Sequence, residues 1–280
     1  MSHFRHNPIA IPGNSTHGPG LVTYSDLMQL IRDMVYNPLK FFPHAARVLN
    51  ETSHGDGTTL LAWKEQQKPE FGRPLTKECI EEGAFSSACS KDYEPTWQAT
   101  YGITCTDGLP KTSQTKEQFR EYADSIIAQS FLIGASWASI QLPCTAWNAR
   151  PEWRYEGDFH AETAHPILFV GNTIDPVTPL RNAFTMAKGF KGAGVLHQDS
   201  EGHCTYASPS MCSGRALRTY FQSGELPGQK SWSASQKAPI CEPNRLPFDG
   251  YMDEDAPKLP EGETDADLWE ALVALNRVWP

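Results

Sequence analysis

The chain has 280 residues, of which 39% are hydrophobic and 11% aromatic, and its formal net charge is −9. This length and composition predict a soluble globular protein with one large domain, or with a domain and a cap. The acidic balance argues against a nucleic-acid-binding protein, which normally presents a basic surface to phosphate. No stretch approaches the roughly 18 apolar residues of a membrane-spanning helix. The first thirty residues also lack the basic and apolar regions of a secretory signal.

The first 150 residues carry mainly helical patterns and are expected to form a helical lid or cap. Thr23-Tyr24-Ser25-Asp26 predicts the start of an amphipathic helix, which Asn37-Pro38 ends. Between residues 21 and 140 no buried apolar run predicts a strand. Further helices are predicted around Phe42–Leu49, Thr59–Gln67 and Phe119–Ser130.

The pattern changes at Pro166, where strands and helices begin to alternate. Two short buried strands are predicted at 167–170 and 195–198, each followed by a helix. The first helix starts at Thr178-Pro179 and ends at Gly189. The second starts at Ser208-Pro209 and ends at Gly224, with Leu217, Tyr220 and Phe221 facing inward. This order predicts an α/β fold, in which residues 151–248 form one edge of a doubly wound sheet.

The segment 249–280 is predicted to be a tail outside that sheet. Residues 249–265 are acidic and rich in Pro and Gly, which is typical of a linker. The pattern of Ala266–Trp279 fits either an amphipathic terminal helix or a frayed end.

Asp175 and His203 are the residues whose placement suggests chemistry. Each follows a predicted strand, and the carboxyl ends of parallel strands meet at the edge where α/β sheets place their sites. Asp before His, one strand apart, matches the chain order Ser, Asp, His of α/β-hydrolases. Taken singly, Asp175 is equally a turn residue before Pro176, and His203 a loop histidine. Together they favour a carboxylate that orients an imidazole for proton transfer.

Seven scattered cysteines and two glycosylation sequons bear on the compartment. No Cys-x-x-Cys pair occurs, so no metal site is expected. The cysteine number, with sequons at Asn14 and Asn50, fits disulfides in an oxidising compartment and therefore a secreted parent protein. Chance sequons and buried thiols in a cytosolic protein remain the alternative. No cofactor is predicted.

Three groups of residues resemble one enzyme family. They are Pro166-Ile-Leu-Phe-Val-Gly-Asn-Thr-Ile-Asp-Pro-Val-Thr-Pro-Leu180, then Glu201-Gly-His-Cys204, and Gly224-Glu-Leu-Pro227 with Cys212 and Cys241. They are similar to the C-terminal domain of tripeptidyl-aminopeptidase-like hydrolases, in the prolyl-aminopeptidase group of serine peptidases. The resemblance covers about residues 7–248, with the first half similar to the family's helical lid. It implies that Asp175 and His203 are the acid and base of a Ser-His-Asp triad.

The resemblance also implies a set of disulfides. Cys105 and Cys144 look like one family pair and Cys212 and Cys241 like another, while Cys79 and Cys89 would close a short lid loop. Cys204 is left over. A Cys204–His203 nucleophile pair is disfavoured, because adjacent side chains in an extended loop point apart and the chain order would be wrong. We expect Cys204 to be a core thiol or a support for His203.

The chain departs from the family at the nucleophile, because no Gly-x-Ser-x-Gly sequence occurs in it. Ser136, in Gly134-Ala-Ser-Trp-Ala138, is a weak substitute that better fits a lid helix. His17-Gly-Pro-Gly20 resembles an oxyanion loop but is better interpreted as a turn. The nucleophile and oxyanion donors are therefore expected from roughly 200 residues of sheet outside this chain.

The expected parent activity is hydrolysis of a peptide or amide from a free N-terminus, and this chain alone is expected to be inactive. Glu81 and Glu82 are available lid carboxylates for the substrate amine. One alternative is an esterase or secondary-metabolite hydrolase on the same fold, acting on a small ester or amide. The other is a noncatalytic remnant or binding module. The sequence does not specify an oligomeric state.

Overall fold

The computed structural model describes residues 2–13, 18–66, 77–83, 86–90, 96–227, 240–249 and 258–278. The chain divides into two compact units. The sheet unit comprises Gln29–Gly57 and Gly157–Pro280, and the helical unit comprises Ser2–Met28 and Thr58–Glu156. The boundaries predicted at 150 and 248 remain predictions.

The described part of the helical unit contains short helices and one strand pair. Its elements are α1 (Ser2–His6), β1 (Ile9–Ile11), β2 (Gly20–Val22), the first half of α2 (Tyr24–Met34), α4 (Thr58–Gln66), α5 (Lys77–Glu82), α6 (Ser87–Ser90), α7 (Thr96–Asp107), α8 (Lys116–Gln129), α9 (Gly134–Gln141) and a 3-10 turn at Leu142–Ala146. A capping box between Thr115 and Gln118 starts α8, because each side chain bonds the other residue's backbone N–H.

The strand pair β1–β2 was not predicted. It is antiparallel, with Ile9 opposite Val22. The expectation of no strand between residues 21 and 140 is therefore wrong at Leu21 and Val22, which belong to β2. Three-residue strands are too short to show the alternation by which a sequence predicts a strand.

The sheet unit contains the α/β part of the fold. Its elements are the second half of α2, α3 (Pro38–Ser53), β3 (Leu168–Ile174), α10 (Leu180–Ala187), β4 (Gly194–Glu201), a 3-10 turn at Thr205–Ala207, α11 (Met211–Ser223), β5 (Ile240–Cys241) and α12 (Ala266–Val278). The sheet is parallel in the order β3-β4-β5, with Asn172 opposite Gln198. The predicted α/β class is confirmed.

Helices α11 and α12 pack together over a small apolar core. Met211 of α11 lies against Trp269, Leu272 and Val273 of α12, and Trp269 is only 2% exposed. Burying each such side chain contributes about 1.5–3 kcal/mol. The terminal helix is therefore packed against α11 within the sheet unit rather than frayed.

The ends of α11 follow from its capping residues. Ser210 accepts a hydrogen bond from the Ser213 N–H at the start, and Gly224 takes the left-handed conformation at the end. The prediction that Phe221 faces inward is wrong, since its side chain is 81% exposed. The neighbouring Tyr220 is half-buried instead, and its hydroxyl donates to the Pro166 carbonyl at 2.8 Å.

Of the helices that the structure describes, none combines the length and apolar character needed to cross a bilayer.

Candidate active site

Asp175 is the first residue after β3, and its carboxylate is held by the turn that follows. Oδ1 accepts from the backbone N–H groups of Val177 and Thr178, both at 2.8 Å, and Oδ2 accepts from the Thr178 hydroxyl at 2.9 Å. The residue is 8% exposed. Asp175 is therefore a turn residue, as its position before Pro176 suggested, and a fixed, buried carboxylate as well.

His203 lies two residues beyond the end of β4, where Gly202 makes the turn. Gly202 has φ +96°, and a Cβ there would lie 2.6 Å from the side chains of Ala207 and Pro38. Only glycine fits this position without strain. The Gly202 N–H donates to the Ile174 carbonyl at 3.0 Å, and the His203 N–H donates to the Tyr36 carbonyl at 2.9 Å.

The carboxylate and the imidazole meet at the carboxyl ends of β3 and β4. His203 Nδ1 lies 3.1 Å from both oxygens of Asp175. The Cys204 N–H also donates to Asp175 Oδ2, at 3.2 Å. A carboxylate against Nδ1 keeps the proton on that nitrogen, so that in the neutral ring Nε2 is the proton acceptor. The two side chains thus have the arrangement of an acid-oriented base.

The contact between Asp175 and His203 shifts the pKa values of both side chains. Burial opposes ionisation of Asp175, but hydrogen bonds from His203 and from the N–H groups of Thr178, Val177 and Cys204 hold its pKa below the ordinary value. The hydrogen bond to Asp175 raises the pKa of His203 to about 9, with Cys204 adding in the same direction. The imidazole is therefore protonated at neutral pH, and it becomes a base as the pH rises toward 9.

Part of the chain matches a known family. Residues 129–232 match the family model described as TAP-like protein. Over these residues the chain is similar to the TAP-like α/β-hydrolases. No curated protein matches the chain. The matched residues include β3, β4, Asp175 and His203, so the TAP-like segment carries both members of the predicted pair.

Two residues of the sheet unit that touch the His203 turn were missed by sequence reasoning. Tyr36, between α2 and α3, places its ring edge-on to the His203 ring with 5.3 Å between centroids. Asn172, within β3 of the TAP-like segment, donates to the carbonyls on both sides of His203. Asn172 gave no signal, because it lies beyond the strand predicted at 167–170. Tyr36 gave none, because Asn37-Pro38 was interpreted only as a helix end.

Cys204 follows His203 in a conformation that non-glycine residues rarely adopt, with φ 66° and ψ 161°. Such a backbone costs about 1–3 kcal/mol and persists only when its surroundings hold it. The thiol is outside the disulfides and half-buried. The expectation that the two side chains point apart stays a prediction, and Cys204 contributes to the raised pKa of His203. The left-handed turn at Cys204 replaces the extended loop that was assumed.

The serine that was considered only as a weak substitute nucleophile lies in a helix. Ser136 is inside α9 and precedes Ser139, whose hydroxyl donates to the Ser136 carbonyl. Residues 131–133 form a turn rather than a strand. The strand-turn-helix context of a nucleophile elbow is therefore missing around Ser136.

The remaining predicted positions are distributed over both units. Glu81 and Glu82 are exposed on α5, where Glu81 lies 3.7 Å from the Lys77 ammonium. Asn50 is exposed on α3, and Asn14 and His17 lie outside the described residues.

Disulfides join Cys79 to Cys89, Cys105 to Cys144 and Cys212 to Cys241. No cluster of three or more metal-ligating side chains occurs within the described ranges.

Proposed function

We propose that Asp175 and His203 are the acid and base of a serine hydrolase that releases N-terminal residues or short peptides. One observation carries this function. A buried carboxylate places both its oxygens 3.1 Å from Nδ1 of an imidazole, at the carboxyl ends of two adjacent parallel strands. The TAP-like match of the segment that contains both residues supports the hydrolase class.

Each member of the pair has a distinct role in acyl transfer. Asp175 keeps Nδ1 protonated and stabilises the imidazolium that forms. His203 Nε2 takes the proton of the serine hydroxyl as the serine attacks the scissile carbonyl, and then delivers it to the leaving amine. Water repeats the sequence to release the acyl group.

The nucleophilic serine of the proposed hydrolase is not among the residues of this chain. No Gly-x-Ser-x-Gly sequence occurs among the 280 residues, and Ser136 lies within a helix. We therefore assign the serine and the oxyanion donors to further polypeptide that works together with Asp175 and His203. A peptide is the proposed substrate, because the residues that the sequence shares with the tripeptidyl-aminopeptidase-like hydrolases surround this pair.

The test isolates the protein in its natural form. A tag added to the gene at the codon for Pro280 allows recovery from the source organism together with any further polypeptide. We expect hydrolysis of tripeptidyl and aminoacyl p-nitroanilides. His203→Ala should lower kcat/KM by about 10³-fold or more while the protein remains folded.

Two results would overturn this assignment. Equal activity of the wild type and His203→Ala would remove His203 from the mechanism. If the tagged wild type hydrolysed neither peptides nor small esters, the hydrolase function itself would be wrong. Hydrolysis of esters alone would retain the catalytic pair and correct the substrate class.

A further inference from the structure

A single buried amide lies beneath the turn that carries His203. Asn172 belongs to β3 and is 0% exposed. Its Nδ2 donates to the Gly202 carbonyl at 3.0 Å and to the Cys204 carbonyl at 2.8 Å. These carbonyls flank His203 on both sides, so both hydrogens of one amide group are used to fix the backbone around the imidazole.

The turn needs such a constraint because its backbone is unfavourable. Gly202 has φ +96° and Cys204 has φ 66°. Gly202 has no Cβ to restrict its backbone, and Cys204 is held in a strained conformation. The sequence of the turn therefore does not by itself favour the observed backbone conformation. The bonds from Asn172 set the carbonyl directions at both positions. The side-chain direction of His203 depends on those two peptide planes.

The orientation of the Asn172 amide is fixed by its partners. Exchange of nitrogen and oxygen would place Oδ1 against two carbonyl oxygens, which is repulsive. In the observed orientation Oδ1 is buried and has no hydrogen-bond partner among the described residues. A buried acceptor without a partner lowers stability. Stability alone therefore does not account for an asparagine here, whereas the geometry of the turn does.

We propose that Asn172 is a positioning residue that aligns the His203 imidazole with the Asp175 carboxylate. Its contribution to catalysis depends on the proposed hydrolase function. The alignment itself does not depend on that function. Loss of the two bonds should let the turn relax, so that Nδ1 spends less time between the two oxygens of Asp175.

Nuclear magnetic resonance titration of His203 in the purified chain tests the alignment. The nine histidines are resolved by ring nitrogen shifts, and His203→Gln identifies the His203 signal. In Asn172→Leu, which keeps the size but cannot donate, we expect the His203 pKa to fall by about one unit or more toward its ordinary value. Asn172→Ala provides a second variant with the same expected direction.

Gln198→Leu is the matched control. Gln198 is the cross-strand neighbour of Asn172, is equally buried, and donates to the carbonyls of Thr205 and Ser208 instead. Gln198→Leu should lower the melting temperature about as much as Asn172→Leu does. Its His203 pKa should stay within about 0.3 units of the wild-type value. Equal pKa changes in the Asn172 variants and the control, or no change in any of them, would overturn the positioning role.

Catalysis provides a separate measurement on the natural protein. Asn172→Ala should lower kcat by roughly tenfold with little change in KM, because substrate binding does not use the turn. If the wild type proves inactive, the hydrolase function fails while the titration still decides the role of Asn172. If the wild type is active and the Asn172 variants keep both the full kcat and the His203 pKa, the positioning role alone fails.

Discussion

Asp175 determines the protonation state of His203. Its carboxylate is the main cause of the raised imidazole pKa. In Asp175→Asn the negative charge is gone, so we expect the His203 pKa to fall from about 9 toward 6.5. Histidine ring shifts followed from pH 5 to 10 give this value directly. An unchanged pKa in the variant would mean that another group holds the proton on His203.

Gly202 provides a second prediction for a single residue. A methyl group there would meet the side chains of Ala207 and Pro38 at 2.6 Å, in addition to the strain of φ +96°. We expect Gly202→Ala to lower the free energy of unfolding by about 2–4 kcal/mol.

Gly224→Ala separates the steric clash from the backbone strain as causes of the stability lost in Gly202→Ala. Gly224 has φ +73° but open space around it. This variant should therefore lose only the backbone part, about 1–2 kcal/mol. Urea unfolding of both variants measures the difference, and equal losses would exclude the clash as a factor.

The elements divide according to how strongly their sequences signal them. Amphipathic α2 and the alternation of strands and helices after Pro166 were predictable, because periodicity and caps are local properties. The Asp175–His203 pair followed from that order of elements. The positions of Asn172 and Tyr36 did not, since hydrogen bonds to backbone carbonyls depend on tertiary contacts that no local pattern encodes.

Helix α12 shows what its buried face contributes. Trp269 is 2% exposed within the core that α12 shares with α11. We expect Trp269→Ala to lower the free energy of unfolding by about 3–5 kcal/mol. Trp153 is 77% exposed. Trp153→Ala should therefore change the free energy of unfolding by less than about 0.5 kcal/mol. Denaturant unfolding checks both values, and similar losses would show that α12 does not stabilise the unit.

At the scale of the whole molecule, the contact between Asp175 and His203 predicts a pH dependence of stability. The folded-state pKa of His203 is raised, so its contribution is complete below pH 6.5 and is lost as the pH rises toward 9. The pKa of Asp175 is lowered in the folded state, so its contribution is complete above pH 3.8 and is lost as the pH falls through the lower folded-state pKa. We expect the melting temperature to decline between pH 6.5 and 9.

Asp175→Asn provides the comparison for this decline. The variant has no carboxylate to stabilise the imidazolium, so its melting temperature should decline less over the same pH range. Differential scanning calorimetry at half-unit intervals measures both curves. Parallel curves for the wild type and the variant would assign the alkaline loss to other groups.

The paired amides of Asn37 and Asn276 have a consequence for the order of folding. Asn37 Nδ2 donates to the Asn276 carbonyl at 3.0 Å, and the two residues are 239 positions apart. Contacts of such long sequence separation close slowly, because chain entropy opposes them until much of the structure exists. During translation, the segment that presents Tyr36 to His203 lacks this anchor until residue 276 has been synthesised. The surroundings of His203 are therefore completed late, after the local helices have had time to form.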